Sequence, residues 1–152
     1  WRTKQKRKPK DNMECYDMLV KEGEYDILIE KNRYIWNLTN EDWVTRQDSH
    51  YTIGCIHTSQ GYDMNYVGVI FGDEIDYDLE TKSVVINLEK YKDKKVKAAT
   101  EEKVLKELIV NTYTTILARG IKGCYVYACN QNLRKYLKQY IAVANEFTLK
   151  EE

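Results

Sequence analysis

Tyr66-Val67-Gly68-Val69-Ile70-Phe71, followed by Gly72-Asp73, is the stretch on which the fold turns. Six residues are apolar on both faces and close on a turn signal. A strand of this kind must be buried on both sides, as a parallel sheet covered by helices requires. Upstream, Thr52 to His57 reads as a second buried strand, running into the polar turn Thr58-Ser59-Gln60-Gly61. Downstream, Ser83 to Leu88 reads as a short edge strand and residues 89–99, rich in lysine, as an exposed loop. Thr100 is placed to cap a helix, with Glu101 and Glu102 in its first turn, where acids favour the positive end of the helix dipole. Leu105, Leu108, Ile109, Thr112, Tyr113, Ile116 and Leu117 then recur on one face, and Gly120 is a fitting end. Cys124 to Cys129 is a further apolar strand. Asn130 can cap a last helix with Leu133, Tyr136, Leu137, Tyr140, Ile141 and Ala144 on its apolar face. Strands alternating with helices in this order predict an α/β layer protein with a largely parallel sheet.

The rest of the chain is consistent with one such domain. At 152 residues and 43% hydrophobic content it can bury a core. The 24 basic and 24 acidic side chains balance, which excludes a broadly basic nucleic-acid coat and an acidic disordered chain. The balance is uneven locally. Residues 1–10 hold six basic side chains and no acid, so the remainder is acidic by six. We read 1–12 as a solvated basic segment, able to contact phosphates, and 13–152 as the domain. Met13 to Val20 reads as a helix or turn, and Tyr25 to Trp36 as one or two short strands broken at Lys31-Asn32-Arg33. Asn37 to Tyr51 reads as a polar loop anchored by Trp43. Thirteen tyrosines against two phenylalanines predict several rings at half-buried or binding surfaces.

Cys15, Cys55, Cys124 and Cys129 contain no C-x-x-C, and His50 and His57 are not spaced as a zinc pair, so no metal site is expected. Cys55 and Cys124 lie in apolar runs and read as buried thiols of a reducing compartment. The longest apolar run is too short to span a membrane, and the basic N-terminus has no apolar stretch after it. These features predict a cytoplasmic chain, in which the sequon Asn37-Leu38-Thr39 is accidental. No phosphate-cradling G-x-x-x-x-G-K-[ST], no G-x-G-x-x-G and no G-x-S-x-G occurs. Cys55 and His57, two apart on the expected strand, would project in parallel, a poor arrangement for a nucleophile and its base.

Two segments carry chemistry. In Ile53-Gly54-Cys55-Ile56-His57-Thr58-Ser59-Gln60-Gly61-Tyr62-Asp63 a strand feeds a turn crowded with polar groups, the kind of place where ligands bind at a strand's carboxyl end. In Asn111-Thr112-Tyr113-Thr114-Thr115-Ile116-Leu117-Ala118-Arg119-Gly120 an arginine closes a helix just before the strand from Cys124. It serves either as a partner of the helix dipole or as an arginine aimed at a phosphate.

Together with Tyr-Val-Gly-Val-Ile-Phe-Gly and Ile-Lys-Gly-Cys-Tyr-Val-Tyr-Ala, these segments closely resemble the C-terminal part of the Schlafen-type DNA/RNA helicase family, bacterial proteins of superfamily one. The first looks like helicase motif V, commonly His-Ser-x-Lys-Gly-Leu-Glu, and the second like motif VI, commonly Val-x-x-Thr-Arg-Ala. The resemblance covers residues 50–140. It implies a RecA-like fold, the second motor domain of a P-loop NTPase, truncated at its N-terminus. It also implies that Arg119 reaches a γ-phosphate as an arginine finger, and that Gln60, Gly61 and Asp63 lie at the nucleotide, with Asp63 at the ribose. His57 and Thr58 would touch the nucleic-acid backbone. Gln60 stands where the family has lysine, and Ala118 where it has threonine. ATP with magnesium would belong to the intact protein, with the upstream P-loop domain as partner and DNA or RNA as substrate; this chain alone would bind no cofactor. The other readings are a nucleic-acid-binding module without catalysis and a protein-interaction domain.

Overall fold

The computed structural model describes residues 25–37, 43–45 and 49–144. The basic segment, the stretch Met13 to Val20, Cys15 and most of the sequon lie outside the described residues. The chain divides into two compact units, Trp1–Tyr62 and Asp63–Glu152, and the boundary falls inside the first of the two motif segments.

In the first unit β1 (Ile27–Ile29) and β2 (Asn32–Trp36) form an antiparallel hairpin, with Ile27 opposite Tyr34 and Ile29 opposite Asn32. The polar break anticipated there is its turn, where Glu30 takes a φ of 53°. Ile27 and Ile35 are buried, as alternation along a half-buried strand demands. The buried Asp26 carboxylate accepts a bond from the Trp36 amide at 2.9 Å, tying the hairpin's open end. After a 3-10 turn at Ser49–Tyr51, β3 (Thr52–Ile53) pairs in parallel with β2. The strand expected to reach His57 therefore stops at Ile53. The chain turns at Gly54 and winds into the short helix α1 (Ile56–Ser59), so Cys55 and His57 do not share a strand face.

In the second unit β4 (Met64–Phe71) and β7 (Gly120–Ala128) form a long parallel pair, with Val67 opposite Cys124 and Phe71 opposite Ala128. Between them come β5 (Ile75–Asp78) and β6 (Ser83–Ile86), α2 (Lys94–Ala99) and α3 (Glu102–Leu117). Helix α4 (Gln131–Leu137) follows β7. Strands β5 and β6 make an antiparallel hairpin, so β6 is no edge of the parallel ladder. Its turn is closed by Asp78, whose carboxylate accepts from the amides of Glu80 and Thr81 and is held below the usual carboxylate range by the first of these.

The core of this unit joins Leu105 and Ile109 of α3, Ile75 of β5, Ala128 of β7 and Leu133 of α4. Those positions carry the helical period read from the sequence, although Leu108 is left largely exposed. The molecule is thus mixed α/β. Its described sheets are small, and the expectation of one largely parallel sheet holds only for β4 with β7 and the brief β2–β3 pairing. Helix boundaries differ where two caps compete. Asp93 accepts from the amides of Lys95 and Val96 and starts α2 inside the expected loop. Thr100 then ends α2, and Glu101 takes the cap of α3. Ala118 ends α3, so Gly120 opens β7 rather than closing the helix. Asn130 caps α4 as anticipated, accepting from Asn132 and Leu133.

Candidate functional site

The first motif segment is organised around Thr58. Its hydroxyl accepts from the Cys55 amide at 2.8 Å, and the Ser59 hydroxyl donates back to the Cys55 carbonyl at 2.9 Å. These bonds satisfy groups that the start of a four-residue helix would otherwise orphan. Trp43, the anchor expected for the loop 37–51, packs against this turn. Its indole N–H donates to the Thr58 carbonyl at 2.6 Å, and its ring lies against Gly54. A Cβ at Gly54 would sit 2.6 Å from the Trp43 ring and 2.8 Å from the Thr58 hydroxyl, so only glycine fits. Gly61 has a φ of +83°, which turns the chain out of α1 at no steric cost.

This packing sorts the expected contact residues. Thr58 and Ser59 are buried, whereas His57, Gln60 and Gly61 are exposed. Thr58 was expected at a nucleic-acid backbone. Its hydroxyl bonds the Cys55 amide and carbonyl within the turn, and His57 beside it is exposed.

The second unit joins the two motif segments through its parallel ladder. Asp63 and Arg119 immediately precede β4 and β7. The Met64 amide donates to the Arg119 carbonyl at 3.0 Å, and Met64 stands opposite Gly120. That register places Asp63 beside Arg119, with one guanidinium nitrogen, Nη1, 3.6 Å from a carboxylate oxygen. The contact is single and long, the Asp63 side chain is 72% exposed, and the Arg119 side chain is 31% exposed. Arg119 Nε is buried with no hydrogen-bond partner. A desolvated, unsatisfied N–H on a cation is costly unless an acceptor arrives.

The polar turn follows β3, as expected, and leads into β4. Asp63 and Arg119 lie at the amino ends of β4 and β7. The carboxyl end of that pair holds a different cluster. The Tyr113 hydroxyl donates to the buried Glu74 carboxylate at 2.5 Å and accepts from the Gly72 amide at 3.0 Å. Burial, then the Glu74 charge, push the Tyr113 phenol far above its ordinary range. Burial likewise raises the Cys129 and Cys124 thiols. Cys55, Cys124 and Cys129 are unpaired and half-buried. Sequence reasoning saw Tyr113 only as part of an apolar face; Glu74 carried no signal, being an acid after a Gly-Asp turn. Among the described residues no group of three His, Cys, Asp or Glu side chains could hold a metal, and no helix is long and apolar enough to cross a membrane.

Residues 1–130 match the family described as Schlafen group 3, DNA/RNA helicase domain. Over 100 residues, 62% of the chain, the sequence is 37% identical to the uncharacterized protein YPL245W of Saccharomyces cerevisiae. The matched region spans 22% of that protein's length. No solved structure matches the chain.

Proposed function

Since the chain belongs to the Schlafen group 3 DNA/RNA helicase domain family, we propose that it is the second, RecA-like motor domain of a superfamily-one helicase or translocase. The observation that carries this reading is the Asp63–Arg119 pairing at the head of β4 and β7. It brings together an acid from the motif V segment and an arginine from the motif VI segment. The arginine retains a buried N–H with nothing to bind. Arg119 is the residue that would meet the phosphate oxygens of ATP, because a guanidinium fork neutralises charge spread over a transferring phosphoryl group. Gln60, Gly61 and Asp63 would flank the nucleotide. The described residues offer no ligand cluster for magnesium and the sequence has no P-loop. In this reading another domain of the intact protein would supply the phosphate cradle and the metal ligands. Exposed His57 would contact the nucleic-acid backbone, with Thr58 and Trp43 shaping the turn that presents it.

Asp63 has a second part in this reading. With phosphate absent it holds Arg119 loosely, and an exposed pair of this length is worth at most about 1 kcal/mol. A phosphate displaces it easily. ATP turnover by the intact protein, stimulated by single-stranded nucleic acid, tests the reading with Arg119→Ala. A fall by about a thousand-fold or more is expected, the scale of arginine fingers. Turnover within a few-fold of the wild type would refute it.

A further inference from the structure

Three tyrosines of the second unit form a ladder that runs from the core to the surface. Tyr77 of β5 and Tyr136 of α4 stack with ring centroids 4.1 Å apart and planes within 13°. Tyr140, in the turn after α4, lies 5.1 Å from Tyr136 at a tilt of 58°. The two inner rings pack against the hydrophobic core and are thereby fixed. The outermost, Tyr140, is 72% exposed. Burial and the neighbouring rings also raise the Tyr136 phenol.

The charge around the ladder is mixed: Asp76 and Asp78 flank Tyr77 at its inner end on β5, and the outer end is basic. Residues 130–144 hold Arg134, Lys135 and Lys138 and no acid, within a chain that is neutral overall. Arg134 is spent internally, donating to the Ala128 carbonyl at 3.0 and 2.8 Å and to the Tyr127 hydroxyl at 2.8 Å. Lys135 and Lys138 are exposed, as is Gln139. An open aromatic ring beside two ammonium groups suits a ligand that alternates flat rings with phosphates. We propose that Tyr140, backed by Tyr136 and Tyr77, is a stacking platform for an unpaired nucleobase, with Lys135 and Lys138 meeting the flanking phosphates. This rests on the nucleic-acid reading above but uses none of the residues that carry it. A stacked base is recognised by its π-face and not by its edge, so the platform takes single strands with little regard to sequence.

The test is fluorescence anisotropy of the 152-residue chain with labelled 15-mers of thymidine, uridine and a blunt duplex. Tyr140→Ala should weaken single-strand binding by about tenfold, the scale of one base–aromatic stack. Tyr140→Trp should preserve it. Because Tyr140 lies on the surface, both variants should melt within a degree or two of the wild type. Replacing Lys135 and Lys138 by alanine together should flatten the salt dependence by about 1.4 in log–log slope, at about 0.7 per phosphate contact for single strands. Equal binding of the duplex, or unchanged affinity in Tyr140→Ala while the wild type binds, would overturn the platform and leave the motor-domain reading standing. Failure of the wild type to bind any oligomer would overturn both.

Discussion

The Asp63–Arg119 pair and the Tyr113–Glu74 pair look alike as acid–donor contacts, yet burial gives them opposite roles. The first is long and single, with Asp63 72% and Arg119 31% exposed, so loss of the pairing itself should leave stability almost unchanged. Arg119→Ala is expected to shift the chemical-denaturation midpoint by no more than about 1 kcal/mol equivalent. Asp63→Asn separates two parts for the acid. If it only parks Arg119, the variant should bind phosphate analogues at least as well as the wild type in the intact protein. If it holds the ribose, nucleotide affinity should fall. Tyr113 sits at the other extreme. Removing its hydroxyl leaves a buried carboxylate and the Gly72 amide without their partner. Tyr113→Phe should therefore destabilise the chain by about 1–3 kcal/mol, read from urea unfolding.

At the scale of the element, α1 shows how a four-residue helix can persist. Isolated, it is far too short to pay its nucleation cost. It holds because Thr58 and Ser59 satisfy its first turn while Trp43 clamps its last carbonyls from outside. Gly54→Ala should push the Trp43 ring and Thr58 hydroxyl away, at about 1–3 kcal/mol for the overpacked contact. Trp43→Phe keeps most of the ring and loses one hydrogen bond, at about 1 kcal/mol. Both variants should weaken nucleic-acid binding through His57, and Gly54→Ala should do so more. Equal affinities in all three proteins would show that this turn does not present the ligand contact.

For the whole molecule, the abundance of tyrosine predicts the response to alkali. Burial raises the Tyr113 phenol from its ordinary value of 10.0, and raises Tyr91 and Tyr136 as well. Above pH 10 the unfolded chain releases these protons while the folded chain keeps them. The unfolded state then binds fewer protons, so stability falls as pH rises. Each such phenol contributes a slope of up to about 1.4 kcal/mol per pH unit. Melting temperature should drop steeply above pH 10, and less steeply in Tyr113→Phe. A second expectation concerns ATP. Without a phosphate cradle the isolated chain should show no ATPase activity and an affinity of millimolar or weaker; micromolar binding by calorimetry would contradict it.

The elements legible in the sequence were those whose pattern is local. The apolar run at 66–71 became β4, although only Val67 and Val69 are buried and Tyr66 and Gly68 are exposed, so it is not covered on both faces. The period of Leu105 and Ile109 became the buried face of α3, and Asn130 capped α4, because periodicity and capping act within a few residues. What the tertiary structure alone decided depends on which strand meets which. The pairing of β5 with β6, rather than of β6 with the parallel ladder, is a choice among partners that alternation cannot make. β3 stops at Ile53, and the next residue, Gly54, lies against the ring of Trp43, ten or more residues away. The burial of Thr58, the nearness of Asp63 to Arg119 and the Tyr113–Glu74 bond all join residues distant in sequence. Such contacts are set by backbone register and packing, and a residue's type says only what it can do once they have placed it.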